Sequence, residues 1–410
     1  MSGERATVFR RQCATVLGLL LAAAALVAFV PSYWPVSLLQ FGVFALVVWW
    51  VVQYLIGNLE IRWHLVILFM IGAACWGPLQ VATHQTVLPF ETSKASLFWA
   101  ANAAFAFVAM QIFGSTSERD RFLEGAVLFG AALNVVAIVQ YYTAPNEVYW
   151  LFPVQMPTIG PFVYKNQFAA FLELLFPVAL YRMMTNQKKS ILFAIAAALM
   201  FASVVASASR SGTALMSAEA VLILLLGWQR KFLPARRMGW LLLQMVALMA
   251  LFTAVVGWQT IWIRVQQENP YWLRGKLLQS TVVMAQDRPV TGFGLGTWQT
   301  VYPAYATFDN ALYANEAHND WAQWAAEGGI PFMLLLLGVA VASTLLAWRF
   351  LWGFGVVAVF VQSFVDYPTR EPIVGALLFT LAGAMAAASS ARQLRSSGHE
   401  RATLHRLLGS

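Results

Sequence analysis

The residue best suited to acid–base chemistry in this sequence is His318. It lies in the segment 315–321, which reads NEAHNDW and comes before a long apolar run. An imidazole with an ordinary pKa of about 6.5 can accept a proton at neutral pH, so His318 could act as a general base on a sugar hydroxyl. At helical spacing it shares a face with Trp321 and Ala325 at the water-facing end of a helix. The alternative is an interfacial histidine that bonds only to water or backbone.

Three cations lie outside the clusters of basic residues in the short loops. Arg210 interrupts the segment 207–212, SASRSG, between two such runs, and a charge at membrane depth costs roughly 2.5 to 3.5 kcal/mol. Lys165 comes just before another apolar run, and Arg274 lies in a long, more polar segment. Cations that converge at a membrane surface could bind a diphosphate carried by a lipid, since guanidinium groups pair with phosphate oxygens. Alternatively, the three side chains extend to water or pair with carboxylates such as Asp366.

The run 287–298, DRPVTGFGLGTW, has three alternating glycines. The backbone N–H groups of such a loop can approach an anion, which makes Gly294 a candidate substrate-binding position, although a tight turn is the simpler alternative. The run matches neither nucleotide-binding fingerprint. The five aspartates never form an Asp-x-Asp pair, and the sequence has no Walker loop. We therefore expect no metal and no cofactor, and a substrate that arrives already activated on a lipid.

The composition indicates that lipid surrounds these residues. Of 410 residues, 60% are hydrophobic and 11% are charged, against roughly 45–50% and about 25% in soluble domains. A helix needs about 20 apolar residues to cross the hydrocarbon layer. The sequence therefore predicts an all-α polytopic membrane protein with about 12 transmembrane helices. The predicted spans are 12–30, 36–57, 64–82, 95–114, 122–143, 167–184, 190–209, 211–228, 238–258, 330–348, 353–367 and 373–391.

Basic residues fall in alternate loops between these spans, and short cytoplasmic loops are enriched in such residues. This pattern predicts that both termini are cytoplasmic and that His318 lies on the opposite, periplasmic face. The net charge of +8 is scattered in short clusters, which argues against nucleic-acid binding. The basic side comprises Arg5, Arg10, Arg11, Arg62, Arg119, Arg121, Lys188, Lys189, Arg230, Lys231, Arg236, Arg237, Arg349, Arg392, Arg395, Arg401 and Arg406.

The chain is predicted to form a single membrane domain over residues 1–410. Only the segment 259–329 is long enough to fold on the outer side, and we expect it to be a helical periplasmic insert. Residues 392–410 are expected to form a cytoplasmic tail. Cys13 and Cys75 lie inside apolar runs and are expected to be packing residues.

Taken together, these stretches resemble the O-antigen ligase family, whose superfamily also holds O-antigen polymerases and pilin oligosaccharyltransferases. The order of the motifs along the chain, and the side of the membrane on which they fall, make the resemblance specific at superfamily level. The matching stretches are 160–177, 207–212, Arg274 followed by 287–297, 318–320 followed by 327–329, and 366–368.

The resemblance implies a metal-independent, inverting glycosyltransferase of the helical membrane type in a bacterial inner membrane. Its donor would be an undecaprenyl-diphosphate-linked glycan, and its acceptor the lipid A core or another surface glycan. It implies that His318 activates the acceptor hydroxyl. Arg210, supported by Lys165 and Arg274, would bind the diphosphate. The remaining candidate substrate-binding residues are Asn166, Gly294 and Asp320.

Two other functions fit parts of the sequence. A polymerase that joins two lipid-linked repeats uses the same donor chemistry and differs only in its acceptor. A membrane transporter or lipid flippase commonly has twelve spans, but it would need ionisable residues or broken helices near the bilayer midplane, often in symmetric halves. In this sequence the unusual residues cluster at one surface, which favours the transferase.

Overall fold

The computed structural model describes residues 3–57, 59–256, 272–308 and 314–408. The first part of the predicted insert, 259–271, and the end of the ninth predicted span lie outside the described residues. The described part contains fourteen α-helices and one pair of two-residue strands, Glu147–Val148 and Phe152–Pro153, which are antiparallel. The helices are α1 Gly3–Leu26, α2 Trp34–Leu55, α3 Leu65–Ala82, α4 Pro89–Ile112, α5 Thr116–Thr143, α6 Lys165–Thr185, α7 Ser190–Ser207, α8 Arg210–Gln229, α9 Ala235–Val256, α10 Trp272–Asp287, α11 Trp298–Val301, α12 Asp320–Ala347, α13 Phe354–Gln362 and α14 Pro372–Leu408.

The prediction of an all-α polytopic membrane protein is confirmed. Within the described residues, ten helices are long and apolar enough to cross a membrane: α1 to α8, α12 and the first part of α14. Two of the predicted spans are not among these ten. The span 238–258 corresponds to α9, a helix of 22 residues, and the span 353–367 corresponds to α13.

Helix α13 is shorter than the sequence predicts. It has 9 residues, so at 1.5 Å per residue it extends only about 13 Å, less than half of the hydrocarbon layer. The chain leaves the helix after Gln362, whose buried side chain donates a hydrogen bond to the carbonyl of Asn166 at 3.3 Å. Residues 363–371, which we call the α13–α14 loop, then carry polar side chains instead of continuing as a helix.

Helices α6 and α14 form the centre of the bundle. Buried residues make up 89% of the apolar window of α6 and 94% of that of α14. Small residues allow this close packing, as is usual between membrane helices. A Cβ added at Gly383 of α14 would lie 2.1 Å from the carbonyl oxygen of Ala106 in α4, and one at Gly355 would lie 2.3 Å from that of Glu173 in α6. Helices α6 and α14 therefore pack closely against their neighbours within the bundle.

Two ion-paired basic residues lie at the end of the bundle opposite His318. Arg182 near the end of α6 pairs with Asp120 at 2.9 Å, and Lys189 pairs with Glu124 at 3.0 Å. The starts of α6, α8, α12 and α14 lie together at the other end, where Asn166, Ser209 and the α13–α14 loop are in contact. Both ends carry basic residues, since Lys165, Arg210 and Arg274 lie at the second end, and the side of the membrane that each end faces stays a prediction.

Candidate active site

His318 lies in a turn immediately before α12 and not within the helix. Its φ of 53° falls in the left-handed region, where residues other than glycine are uncommon. Asn319 caps the helix, because its side chain accepts a hydrogen bond from the backbone N–H of Ala322 at 2.9 Å. The helical face that His318 was expected to share with Trp321 is therefore not formed. The turn instead brings the imidazole to Asp366.

Asp366, in the α13–α14 loop, orients the imidazole of His318. Its Oδ1 lies 3.3 Å from His318 Nδ1 and accepts a hydrogen bond from the backbone N–H of Tyr367 at 3.0 Å. The ring of Tyr367 packs edge-on against the imidazole, with 4.8 Å between the ring centroids. When Nδ1 donates to the carboxylate, Nε2 is the nitrogen that can accept a proton. A carboxylate that orients a histidine in this way is the usual arrangement of a general base.

The second carboxylate oxygen of Asp366 binds two further residues. Asn166, near the start of α6, donates a hydrogen bond to Oδ2 through its amide. Arg274 of α10 places Nη2 3.4 Å from Oδ2, and its Nη1 donates to the carbonyl of Val365 at 2.6 Å. Segments that are far apart in the chain therefore converge on one carboxylate, and they carry three of the residues that the sequence singled out.

The charge of Asp366 is stabilised where it lies. Burial alone would raise the pKa of this carboxyl group, but the hydrogen bond with His318 and the positive charge of Arg274 hold the pKa below its usual value. Only 7% of the side chain is exposed. Asp366 is therefore ionised at neutral pH and remains a hydrogen-bond acceptor for His318.

A small cavity of about 170 Å³ opens beside His318 and Asp366. Its wall includes His318 and Asp366 together with two cations, Lys165 and Arg274. Lys165 is the first residue of α6 and is exposed. A cavity with two cations and an oriented imidazole has the chemistry of an anion site next to a base.

Arg210 lies beside this cavity in the fold but does not line it among the described residues. Its side chain is exposed at the first position of α8. The preceding residue, Ser209, donates a hydrogen bond from its hydroxyl to Asn166 Oδ1 at 2.9 Å. Ala208, with a φ of 52°, makes the tight turn between α7 and α8. The turn predicted at Arg210 is therefore present between α7 and α8, and the hydrogen bond from Ser209 holds it against the start of α6.

A second, larger cavity of about 610 Å³ adjoins His318 from another direction. It shares three residues with the small cavity, His318, Tyr164 and Tyr367. Its other walls carry aromatic rings and amide side chains, which are groups that bind the faces and hydroxyls of sugars. Among these are Tyr302, Phe308, Gln299 and Asn315.

Arg370 joins the two loops that carry the histidine and the aspartate. Its Nη2 donates a hydrogen bond to Glu327 Oε2 at 2.9 Å, and its Nε lies 3.8 Å from Glu316 and 3.7 Å from Asp320. Burial alone would lower the pKa of Arg370, but the charges of these three carboxyl groups raise it. Burial raises the pKa of Glu316. Arg370 therefore holds the segment before α12 against the α13–α14 loop.

Asp320 supports this junction from within the protein. Its side chain is fully buried and accepts hydrogen bonds from the hydroxyl of Thr369 at 2.7 Å and from that of Ser363 at 3.2 Å. Its backbone N–H donates to the carbonyl of Ser363 at 2.9 Å. Among the described residues that line the two cavities, Asp320 does not appear. Its contacts favour a positioning role next to His318.

Replacing Arg370 by methionine should destabilise the protein strongly. Removing one partner of a buried ionic cluster costs about 3–5 kcal/mol, because it leaves buried carboxylates without a counter-charge. We expect a clear fall in the apparent Tm of the purified protein in detergent. Arg237→Met is the matched control, since Arg237 is exposed and donates a hydrogen bond to Gln187 at 3.0 Å, and a surface substitution of this kind usually changes stability by about 0.5 kcal/mol or less. Equal Tm values for the two variants would contradict this role of Arg370.

The glycine-rich loop braces the bend in α12. Gly294 has a φ of 113°, and its backbone N–H donates to the carbonyl of Glu327 at 2.9 Å. A Cβ at Gly292 would lie 2.3 Å from the same carbonyl oxygen. The bend itself lies at Gly329, whose φ is 74°. The N–H of Gly294 is thus used within the protein, and the described residues that line the two cavities do not include this glycine.

The sequence alone did not select three residues of this arrangement. Asp366 was named as a possible partner of the cations and as part of the matching stretch 366–368, but not as the partner of His318, and Tyr164 and Arg370 were not selected. A usable signal was present, because Arg370 is a cation in a short outer loop between two apolar runs, which departs from the usual distribution of charge. Residues 366–368 follow α13, which ends early at Gln362, and this break in the helix also distinguishes the α13–α14 loop from an ordinary membrane span.

Part of the chain matches a known family. Residues 195–337 match the family model described as O-antigen ligase. The match begins within α7 and includes Arg210, Arg274 and His318, so this part of the chain is similar to O-antigen ligases, and the resemblance inferred from the motifs is confirmed. It supports an enzyme of the ligase or polymerase type that acts on lipid-linked glycans. No curated protein matches the sequence significantly.

Proposed function

We propose that this chain transfers a glycan from undecaprenyl diphosphate to the lipid A core or another surface acceptor, because residues 195–337 match the O-antigen ligase family model. The transfer takes place on the periplasmic face of a bacterial inner membrane, with both termini in the cytoplasm. The observation that carries the proposal is His318, oriented by Asp366 next to a cavity that holds Lys165 and Arg274.

In this proposal His318 is the general base. Its Nε2 removes the proton from the acceptor hydroxyl as the hydroxyl oxygen forms a bond to the anomeric carbon of the donor sugar. The bond between that carbon and the diphosphate oxygen breaks, and the lipid diphosphate leaves with both electrons. Asp366 stabilises the imidazolium that forms, since its carboxylate faces Nδ1 at 3.3 Å. Attack from the face opposite the leaving group inverts the anomeric carbon.

Lys165 and Arg274 bind the diphosphate in the small cavity and offset the charge that develops on it. Arg210, exposed at the start of α8, approaches the same group from the membrane side. Arg274 is already anchored to Val365 and Asp366, so its guanidinium is fixed before substrate arrives. Fixed cations lower the barrier more than mobile ones, because no reorganisation accompanies the reaction. Asn166 and Asp320 hold the site in shape, and Gly294 supports it through the bend in α12.

The larger cavity binds sugar residues of the reacting glycans. Its aromatic walls, Tyr164, Tyr302 and Tyr367, suit stacking against sugar rings, and its amides suit hydrogen bonds to hydroxyls. His318 borders both cavities. A sugar bound in the larger cavity and a diphosphate in the smaller one would meet at the imidazole, which is what a transfer between two substrates requires.

We propose that no metal ion takes part. In the described part of the chain, no group of three or more histidine, cysteine or acidic side chains is placed to hold one. Cations of the protein can supply the charge that a metal supplies to a diphosphate leaving group in other transferases. Here Lys165, Arg274 and Arg210 are the cations that would do so.

Deleting the gene tests the function and separates ligase from polymerase. If the chain is a ligase, the deletion strain should accumulate long polymer on the lipid carrier that is not attached to the core. Single unpolymerised repeats in the deletion strain would indicate the polymerase instead. Surface polysaccharide identical to that of the parent strain in amount, length and attachment would contradict both. Gel analysis of extracted polysaccharide, with and without a plasmid-borne copy of the gene, makes the measurement.

A further inference from the structure

A basic cavity lies at the end of the bundle opposite the candidate active site. Its volume is about 650 Å³. It exists because α12 ends at Ala347 and the chain re-enters the bundle through the short 3₁₀ turn Leu351–Gly353 before the short helix α13. The space that a full-length helix would have filled at this end is left open. The wall is shared by the ends of α8, α12 and the apolar part of α14 and by the start of α5.

Four arginines line this cavity: Arg119, Arg230, Arg349 and Arg392. None of the described residues in its wall is acidic. Arg230 donates a hydrogen bond to the carbonyl of Arg349 at 3.5 Å, and the guanidinium of Arg392 lies 5.4 Å from the ring of Phe350. These contacts hold the guanidinium groups around the cavity but do not neutralise them.

Arg119 distinguishes the cavity from an ordinary basic surface. Exposed arginines are expected wherever loops face the cytoplasm, but the side chain of Arg119 is only 13% exposed. Within the described part of the chain its ion pair is with Asp120 at 3.8 Å, and Asp120 also pairs with Arg182 at 2.9 Å. Among the described residues, none accepts a hydrogen bond from Arg119 Nε. Because Arg119 is nearly buried and weakly compensated, and three more arginines lie beside it, an anion in the cavity would stabilise it.

The walls favour a lipid as the source of that anion. Two tryptophans, Trp348 and Trp352, line the cavity, and Trp348 is 46% exposed. Tryptophan collects where a bilayer meets water. Apolar side chains such as Ala388 continue the wall toward the membrane interior. Arginine pairs with phosphate through two parallel hydrogen bonds, so the set suits a phosphate that carries acyl chains.

We propose that this cavity binds the phosphate headgroup of an anionic phospholipid from the leaflet at that end, which the sequence predicts to be cytoplasmic. The phosphate supplies an anionic partner to the arginines, and the acyl chains cover the apolar part of the wall. The site is separate from the glycan-transfer site and does not depend on the function proposed for it. It makes acidic lipid a structural ligand of the protein.

The test measures the thermal stability of the purified full-length protein in detergent. Dioctanoyl phosphatidylglycerol, dioctanoyl phosphatidylcholine and sodium phosphate are titrated separately, and native mass spectrometry counts the bound lipids. We expect phosphatidylglycerol alone to raise Tm saturably. In the double variant Arg349→Gln/Arg392→Gln, the half-saturating concentration should rise about tenfold or more, because two charge-assisted contacts are lost. Arg119→Lys, which keeps the charge but loses the bidentate geometry, should weaken binding less.

The matched control is Arg236→Gln/Arg237→Gln, which removes two exposed arginines of α9 that do not line the cavity. It should bind phosphatidylglycerol like the wild type. Equal effects of phosphatidylcholine and phosphatidylglycerol would overturn the proposal. So would a full effect of free phosphate, since the ligand would then be a soluble anion, and so would equal losses in the double variant and the control.

Discussion

Replacing His318 by alanine is expected to reduce glycan transfer by roughly 10² to 10⁴-fold, the usual contribution of a general base. The side chain borders both cavities and is 31% exposed. The alanine variant leaves the acceptor hydroxyl without a group to take its proton, while the cations that bind the diphosphate remain. Transfer should be measured with purified protein and a lipid-diphosphate donor, and also as complementation of the deletion strain. The amount of protein in the membrane should be unchanged.

His84→Ala is the matched control for this prediction. His84 is an exposed histidine that also has a positive φ, 55°, but it lies beside the end of α3 and lines neither cavity among the described residues. It should keep full activity. If His318→Ala transferred glycan at the wild-type rate, with an equal amount of protein, the role assigned to His318 would be wrong.

Arg210→Ala is expected to abolish transfer in the same assay, through loss of diphosphate binding and not of proton transfer.

Replacing Asp366 by asparagine is expected to lower the turnover rate about 10²-fold or more, with a smaller effect on the apparent affinity for the donor. An asparagine keeps the volume but cannot fix the imidazole with Nδ1 protonated, and it cannot stabilise the imidazolium. It also removes the counter-charge of Arg274. Because the folded protein holds the pKa of Asp366 below its usual value, the wild type has this carboxylate ionised throughout the neutral range.

The same variant has a signature in the pH dependence of stability. A carboxyl group with a lowered pKa in the folded state stabilises the protein above the pKa of the unfolded chain, about 3.9, and loses that contribution as the pH falls through the lower folded value. Asp366→Asn should therefore lose stability at neutral pH and differ less from the wild type below about pH 4. Asp287→Asn is the control for removing a carboxylate elsewhere in the protein. Asp287 accepts a hydrogen bond from the hydroxyl of Tyr305 at 2.5 Å. Unchanged turnover in Asp366→Asn would contradict the orienting role.

The helical architecture was predictable because its signal is strong and local. Each transmembrane helix is a run of apolar residues that satisfies its own backbone groups, so composition alone located α1 to α8, α12 and α14. The early end of α13 was not predictable in this way. Its sequence continues to be apolar through Phe364 and Val365, and only the hydrogen bonds of Gln362, Ser363 and Asp366 to other segments explain why the helix stops.

The candidate site was predictable in part. His318 and Arg274 were selected from residue type and position and Asn166 from the family resemblance, and the structure brings all three to Asp366. Their common partner could not be deduced from spacing, because it lies about 48 residues from the histidine in a loop whose path depends on tertiary contacts.

The orientation of His318 was also out of reach. The prediction placed His318 and Trp321 in one helix and did not take Asn319 into account. The side chain of Asn319 caps the N-terminus of α12, so the helix begins after the histidine. The same limit applies to Gly294, where three glycines gave a pattern typical of both an anion loop and a tight turn. Only the hydrogen bond from its N–H to the carbonyl of Glu327 favours the turn.

Cysteine labelling at position 318 tests the central claim most directly. In a background where Cys13 and Cys75 are replaced by alanine, the variant His318→Cys is treated in intact spheroplasts with a membrane-impermeant maleimide. We expect labelling from the periplasmic side and protection of the cysteine by a prenyl diphosphate, which would occupy the adjoining cavity. Labelling only after the membrane is opened, or equal labelling with and without the lipid diphosphate, would contradict it.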